Sequence, residues 1–193
     1  NKPYTSATQK NGNFFPFYDG KHIGRYNLTW DNDNWINYGE WLAAPRNQSN
    51  FINEKILIRK IIADTLIATY VPETSYCNTL LHILKIKEDA NIKYKYLLGI
   101  LNSKFIGWYF RKKFQISSDD TFPQIMISDI LQFPLPEASQ IDQAKIESLV
   151  DQILKEKSSD PNKDTSKTEL EMDSLIYKIY NLTEEELAII GRK

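Results

Sequence analysis

No stretch of this 193-residue chain limits its fold as much as Lys93 to Pro136. Tyr94, Leu97, Leu98, Leu101, Phe105, Trp108 and Tyr109 recur at helical spacing. They predict one helix with a broad buried face, ending on Arg111-Lys112-Lys113. Gly99, Ser103 and Gly107 fall four residues apart along it and leave one ridge nearly bare. Glycine inside a helix costs about 1 kcal/mol against alanine. The bare ridge therefore predicts a close backbone approach, with the sheet as the expected neighbour. A polar segment from Gln115 to Thr121 follows, then Phe122-Pro-Gln-Ile125, and the stretch closes on Phe133-Pro-Leu-Pro136.

Upstream, Asn1 to Asp19 has no period and reads as a loop or edge segment, while Gly20 to Leu28 alternates and predicts a strand. Trp30, Trp35 and Trp41 are expected to pack a loop-rich region onto the sheet, and Asp31-Asn-Asp-Asn34 reads as a turn. Lys55 to Ile62, Leu66 to Val71 and Thr79 to Ile86 are rich in β-branched residues and predict neighbouring strands. Past Pro136 the period becomes helical. Ser139 to Lys157 predicts an amphipathic helix, residues 158–168 a flexible link, and Leu170 to Tyr180 a second helix. Thr183 with Glu186 is a capping box opening a third. The order predicts an α+β fold, a mixed and mostly antiparallel sheet packed on a central helix and followed by a helical C-terminal appendage. The expected division is a main domain over 1–136 and the appendage over 137–193.

Charge follows that division. Lys plus Arg outnumber Asp plus Glu by 16 to 12 in residues 1–136, and the balance reverses to 8 against 13 in 137–193. A basic first part suits nucleic acid, which the acidic tail does not. The lone cysteine, Cys77, excludes an internal disulfide framework and fits a reducing cytosol, so a cytoplasmic location is expected. No apolar run approaches the roughly 18 residues that cross a membrane. The chain opens in a polar run without an initiator Met, which predicts a piece of a longer protein.

Little catalytic chemistry survives elimination. The sequence has no Gly-rich phosphate loop, and Gly20 and Gly24 are too sparse to make one. His22, Cys77 and His82 are isolated rather than clustered as metal ligands, and His82, inside an apolar run, reads as a satisfied core histidine. No nucleophile elbow or Cys/His signature is present. Glu88-Asp89 and Asp119-Asp120 fall in turns, where a solvated pair is the default. Gln143-Ala-Lys145 lacks an upstream acid that would make it half of a nuclease motif.

Tyr96-Leu-Leu-Gly-Ile-Leu-Asn-Ser-Lys-Phe105, Phe122-Pro-Gln-Ile125 and Ile130-Leu-Gln-Phe-Pro-Leu-Pro136, followed by a long helix, resemble the target-recognition domains of bacterial restriction–modification systems. The pattern is similar to type I specificity subunits and to the TaqI-like specificity domain that follows the methyltransferase domain in type IIG enzymes. Gly20-Lys-His-Ile-Gly-Arg-Tyr26, Trp35-Ile-Asn-Tyr-Gly39, Lys55-Ile-Leu-Ile-Arg59, Leu66-Ile-Ala-Thr-Tyr70 and Leu175 to Leu187 run in the order of the latter, so the resemblance covers nearly the whole chain. Two departures stand out. Lys21 and His22 replace an Arg and an acid common in the family, and the Asn/Asp-Pro-Pro-Tyr/Phe signature of adenine methyltransferases is absent.

The resemblance implies a sequence-specific reader of double-stranded DNA, non-catalytic by itself. An upstream methyltransferase domain of the same polypeptide would carry the chemistry, with S-adenosylmethionine and Mg2+ as cofactors of the parent enzyme and none in this chain. Phosphate contacts are then expected from Lys21, Arg25, Arg59, Lys60, Lys104, Arg111, Lys112 and Lys113. For Arg111 to Lys113 the simpler role is to complement the helix dipole, and for Arg25 a structural ion pair. Base readout is expected from Gln115, Ser117, Ser118 and Asp119 after the helix and from Asn47, Gln48 and Asn50 before the strand, although such residues also form turns. Two other classes remain open, an interaction scaffold that docks methyltransferase or nuclease partners and a nuclease domain of unrecognised type.

Overall fold

A computed structural model describes residues 4–115 and 123–191. Its strands form three small sheets. Strand β1 (Thr5–Ser6) and β2 (Phe15–Tyr18) both pair antiparallel with β5 (Trp35–Ile36), and β2 runs parallel to β8 (Tyr76–Cys77). Strands β3 (Ile23–Gly24) and β4 (Asn27–Leu28) form a hairpin. The third sheet is antiparallel in the order β7 (Ala68–Val71), β6 (Lys55–Arg59), β9 (Leu81–Leu84). Six helices follow: α1 (Tyr94–Leu101), α2 (Lys104–Lys113), α3 (Ile127–Ile130), α4 (Gln140–Ser159), α5 (Ser166–Ile179) and α6 (Glu184–Ile190). The α+β expectation holds, and so do the three predicted neighbouring strands.

Strand β6 lies between two apolar clusters. Alternate side chains of a strand face opposite ways. Ile56 and Ile58 join Leu98, Leu101, Ile106 and Phe110 on the helical side, while Leu57 joins Tyr18, Phe51 and Tyr76 on an aromatic side. Burial on both faces explains why Ile-Leu-Ile reads as a continuous apolar run. On the aromatic side Lys55 is fully buried, and its ammonium donates to the carbonyls of Phe51, Asn53 and Glu73 at 3.0, 3.0 and 2.7 Å. Burial pushes its pKa down to about 8. Trp30 and Trp35 pack edge to face, centroids 4.9 Å apart, as the packing expectation requires. Trp41 departs from it and stays half exposed, bonded through Nε1 to the Asn37 carbonyl. The expected turn at Asp31–Asn34 holds a left-handed residue, Asn32, with φ 59°.

The structure corrects the sequence reading in four places. The alternating stretch from Gly20 to Leu28 is not one strand: a 3-10 turn (Gly20–His22) leads into the β3–β4 hairpin, turned by Tyr26 at φ 56°. Tyr26 donates its backbone N–H to the Ala68 carbonyl and buries its ring, which holds that conformation. The central helix is broken at Asn102 and Ser103 into α1 and α2. Consequently the bare ridge has two partners rather than the sheet. A Cβ on Gly99 would lie 2.6 Å from Ile146 of α4, and one on Gly107 would lie 2.5 Å from the Asp64 carbonyl in the β6–β7 connection. Finally, residues 158–168 contain the last turn of α4 and the first of α5 as well as a short link, in which Thr165 is buried.

Helices α4 and α5 contribute Ile146, Val150, Ile153, Met172 and Ile176 to the same apolar cluster as α1 and β6. Ser139 caps α4, and Thr183 with Glu186 forms the predicted capping box of α6. No helix among the described residues is long and apolar enough to cross a membrane.

Candidate nucleic-acid interface

The break between α1 and α2 is the joint from which the basic helix is aimed. Asn102 is fully buried, and its side-chain amide takes both backbone groups of Ala68 at the start of β7. It accepts the Ala68 N–H at 3.1 Å and donates to the Ala68 carbonyl at 2.9 Å, as a neighbouring strand would. The Asn102 carbonyl accepts Arg25 at 2.8 Å. Ser103 then restarts the helix: its backbone is extended and its hydroxyl accepts the Ile106 N–H at 3.2 Å. A second acceptor for the helix start comes from α5, where Asp173 takes the Lys104 N–H at 3.0 Å.

At the far end of α2 two of the three cations are held by neighbouring side chains. Arg111 pairs with Asp64 at 3.2 Å, in the connection that packs on Gly107. Lys113 donates to the Tyr109 hydroxyl at 3.0 Å and lies over the Tyr109 and Phe114 rings, while Lys112 is exposed. Gln115, exposed and left-handed at φ 52°, closes the helix. Ser117, Ser118 and Asp119 lie outside the described residues. On their far side the chain is clamped. Ile62 donates its N–H to the Pro123 carbonyl at 3.0 Å, and Ile125 donates to the Lys60 carbonyl at 2.8 Å. His82, buried as expected of a core histidine, places Nε2 2.8 Å from the Ile125 carbonyl. Burial holds its pKa below the ordinary histidine value, with that carbonyl opposing.

Other predicted site residues sit elsewhere. Lys21 is exposed on the 3-10 turn, and Arg59 is half-buried at the end of β6. Arg25 pairs with Glu169 of α5 at 2.5 Å, the ion pair foreseen as its simpler role. Asn47, Gln48 and Asn50 belong to a 3-10 turn beside the aromatic cluster. Asn47 accepts the Ser49 N–H at 3.0 Å, and Gln48 donates to the Tyr76 hydroxyl at 3.0 Å. The Lys60 carbonyl holds Ile125 just after the 116–122 segment, Arg111 to Gln115 precede that segment, and the Asn47–Asn50 turn belongs to the aromatic side. Asn102 and Asp173 were not among the predicted residues. An Asn-Ser pair in mid-helix signals Asn102, whereas Asp173 gives no signal in an amphipathic helix. Among the described residues no group of three His, Cys, Asp or Glu side chains could hold a metal ion.

Asp173 makes a testable stability prediction. Burial pushes its pKa up to about 6 from 3.8, with the Lys104 N–H and charge and Arg25 opposing. The unfolded chain releases this proton near pH 4 and the folded chain only near pH 6. Stability is therefore full below about pH 4 and falls as pH rises to about 6, by on the order of 3 kcal/mol at ~1.4 kcal/mol per unit. Asp173→Asn keeps an oxygen for the Lys104 N–H and removes the charge. Urea unfolding should show the variant more stable than the parent above pH 6 and equal to it below pH 4.

The sequence pattern of the TaqI-like C-terminal specificity domain matches residues 15–135, and the chain belongs to that family. It is 28% identical over 137 residues to a putative type II restriction enzyme and methyltransferase of Methanocaldococcus jannaschii, covering 67% of this chain and 11% of that protein. The chain thus spans about a tenth of the length of this curated relative. A solved structure, the type IIL restriction–modification enzyme MmeI in complex with DNA, shares the fold. Its TM-score is 0.65 at 12% identity over 99% of this chain and 34% of that one.

Proposed function

We propose that this chain is the duplex DNA target-recognition module of a restriction–modification enzyme and is not catalytic by itself. The family match over residues 15–135 carries the reading. Within it, Arg111, Lys112 and Lys113 hold phosphates, Lys60 and Arg59 supplement them, and Gln115, Ser117, Ser118 and Asp119 read base edges. A basic helix end anchored at Asp64 and Gln132 supports this division, since phosphate contacts set register while base contacts specify. Lys21 adds a phosphate contact, and Asn47 and Gln48 add base contacts. The specificity unit corresponds to 1–136, and the helices of 137–193 brace it through α1.

Methylation would reside in a methyltransferase domain of the same polypeptide, and the parent enzyme would act in the cytoplasm with S-adenosylmethionine and Mg2+. The residues here do not fit those groups. Gly99 and Gly107 are filled by packing contacts, and Gly20 and Gly24 face Leu80 and Asn27 rather than forming a phosphate cradle.

Binding of the chain to duplex DNA, followed as a function of salt, tests the reading. Each phosphate neutralised contributes about 0.9 to the slope of log affinity against log salt. Replacing Arg111, Lys112 and Lys113 together by Ala should flatten the slope by roughly 2 to 3 and weaken all sequences alike. Exchanging residues 115–121 should leave the slope and change the preferred sequence. A loop exchange that leaves preference untouched would place the readout elsewhere.

A further inference from the structure

A second cationic surface lies at the other end of α2. A cleft of about 510 Å³ opens where the β3–β4 turn, the start of α2, the end of α4 and the α4–α5 link meet. Arg25, Lys104, Lys157 and Lys163 line it, against two carboxylates, Asp164 and Glu169. Both carboxylates are engaged already. Glu169 pairs with Arg25 and accepts the Thr165 hydroxyl at 2.6 Å, and Asp164 accepts the Ser166 N–H at 3.0 Å. The Ser166 N–H at the start of α5 is therefore taken by Asp164.

The lysines are what an incoming anion would meet. Among the described residues Lys104, Lys157 and Lys163 make no ion pair. Lys157 donates to the Lys163 carbonyl at 2.8 Å, which leaves N–H groups of its ammonium over, since an ammonium has three. Sequence composition points to the same place. Residues 155–167 hold four lysines against three acids, whereas the rest of 137–193 holds four cations against ten acids. Outside this stretch the tail is acidic on balance. Lys104 also shares a face of α2 with Arg111, seven residues on and ~10 Å along the axis.

We propose that this cleft holds a backbone phosphodiester of duplex DNA, with Lys104, Lys157 and Lys163 as the cations, so that the helical tail grips DNA alongside the basic end of α2. The proposal rests on the reading of the chain as a DNA-recognition module. The test is the salt dependence of duplex affinity for the full chain and for Lys157→Gln/Lys163→Gln, with Lys145→Gln/Lys178→Gln as a control outside the cleft. The cleft variant should lose about tenfold in affinity for every duplex and about 1 to 2 of the slope, with the control unchanged. Urea unfolding of each variant confirms that the fold is kept. If the unsubstituted chain binds duplex and the cleft variant binds it with the same slope, the proposal is overturned while the DNA reading stands. If the unsubstituted chain binds no duplex, both fall. Inorganic phosphate at millimolar concentration should compete weakly and equally against both proteins. Competition that is strong and lost in the cleft variant would make this a free-anion site and overturn the DNA assignment.

Discussion

Asn102→Ala will destabilise the fold by about 3 kcal/mol, although it removes only three heavy atoms. The side chain pairs with both backbone groups of Ala68 in a fully buried position. The Ala68 carbonyl keeps the Tyr26 N–H at 3.0 Å, but the Ala68 N–H is orphaned, at a cost of about 1–3 kcal/mol, and the lost amide leaves a cavity. Asn102→Asp separates hydrogen bonding from shape. It keeps the volume and one acceptor but sets a buried carboxylate against the Ala68 carbonyl, so at neutral pH it should cost at least as much as Ala. Urea denaturation with circular dichroism reads both. An Asp variant close to the parent in stability would mean that Asn102 only fills space.

Gly107→Ala sets two effects of opposite sign against each other. Helix propensity favours Ala by about 1 kcal/mol. The added Cβ would lie 2.5 Å from the Asp64 carbonyl oxygen and 2.7 Å from the Thr65 Cα, both backbone atoms that no rotamer change can move. Overpacking of this kind costs about 1–3 kcal/mol and occasionally more. Packing should win and leave the variant less stable by about 1 kcal/mol. The shift would also displace Asp64 from Arg111, so DNA affinity at low salt should fall with stability. A Gly107→Ala protein more stable than the parent would show that the connection yields freely.

These two positions also mark how far the sequence could be read. Lys55 to Arg59 was legible as a strand because burial on both faces leaves an unbroken apolar run, and Thr183 was legible as a cap because its partner, Glu186, lies three residues away. The break at Asn102 has one local signal, the Asn-Ser pair, and was overridden in the sequence reading by the apolar period. Leu97, Leu101, Phe105 and Trp108 keep helical spacing straight across it, and the partner that stops the helix, Ala68, is 34 residues away. The same holds for the β3–β4 hairpin, turned at a tyrosine whose left-handed backbone is held by that residue. In the candidate interface, the basic end of α2 was evident from consecutive cations. The Lys104–Lys157–Lys163 cleft was not, because an acidic tail average concealed its one basic turn.

The central claim is that this chain discriminates among DNA sequences. Its most direct test is selection by the chain from a pool of duplexes with a randomised centre, followed by sequencing of what it retains. The account predicts enrichment of one short motif, and a different motif or none after exchange of residues 115–121. A retained pool as random as the input, from a protein that binds duplex in a salt-dependent way, would contradict it and leave only a non-specific DNA-binding domain.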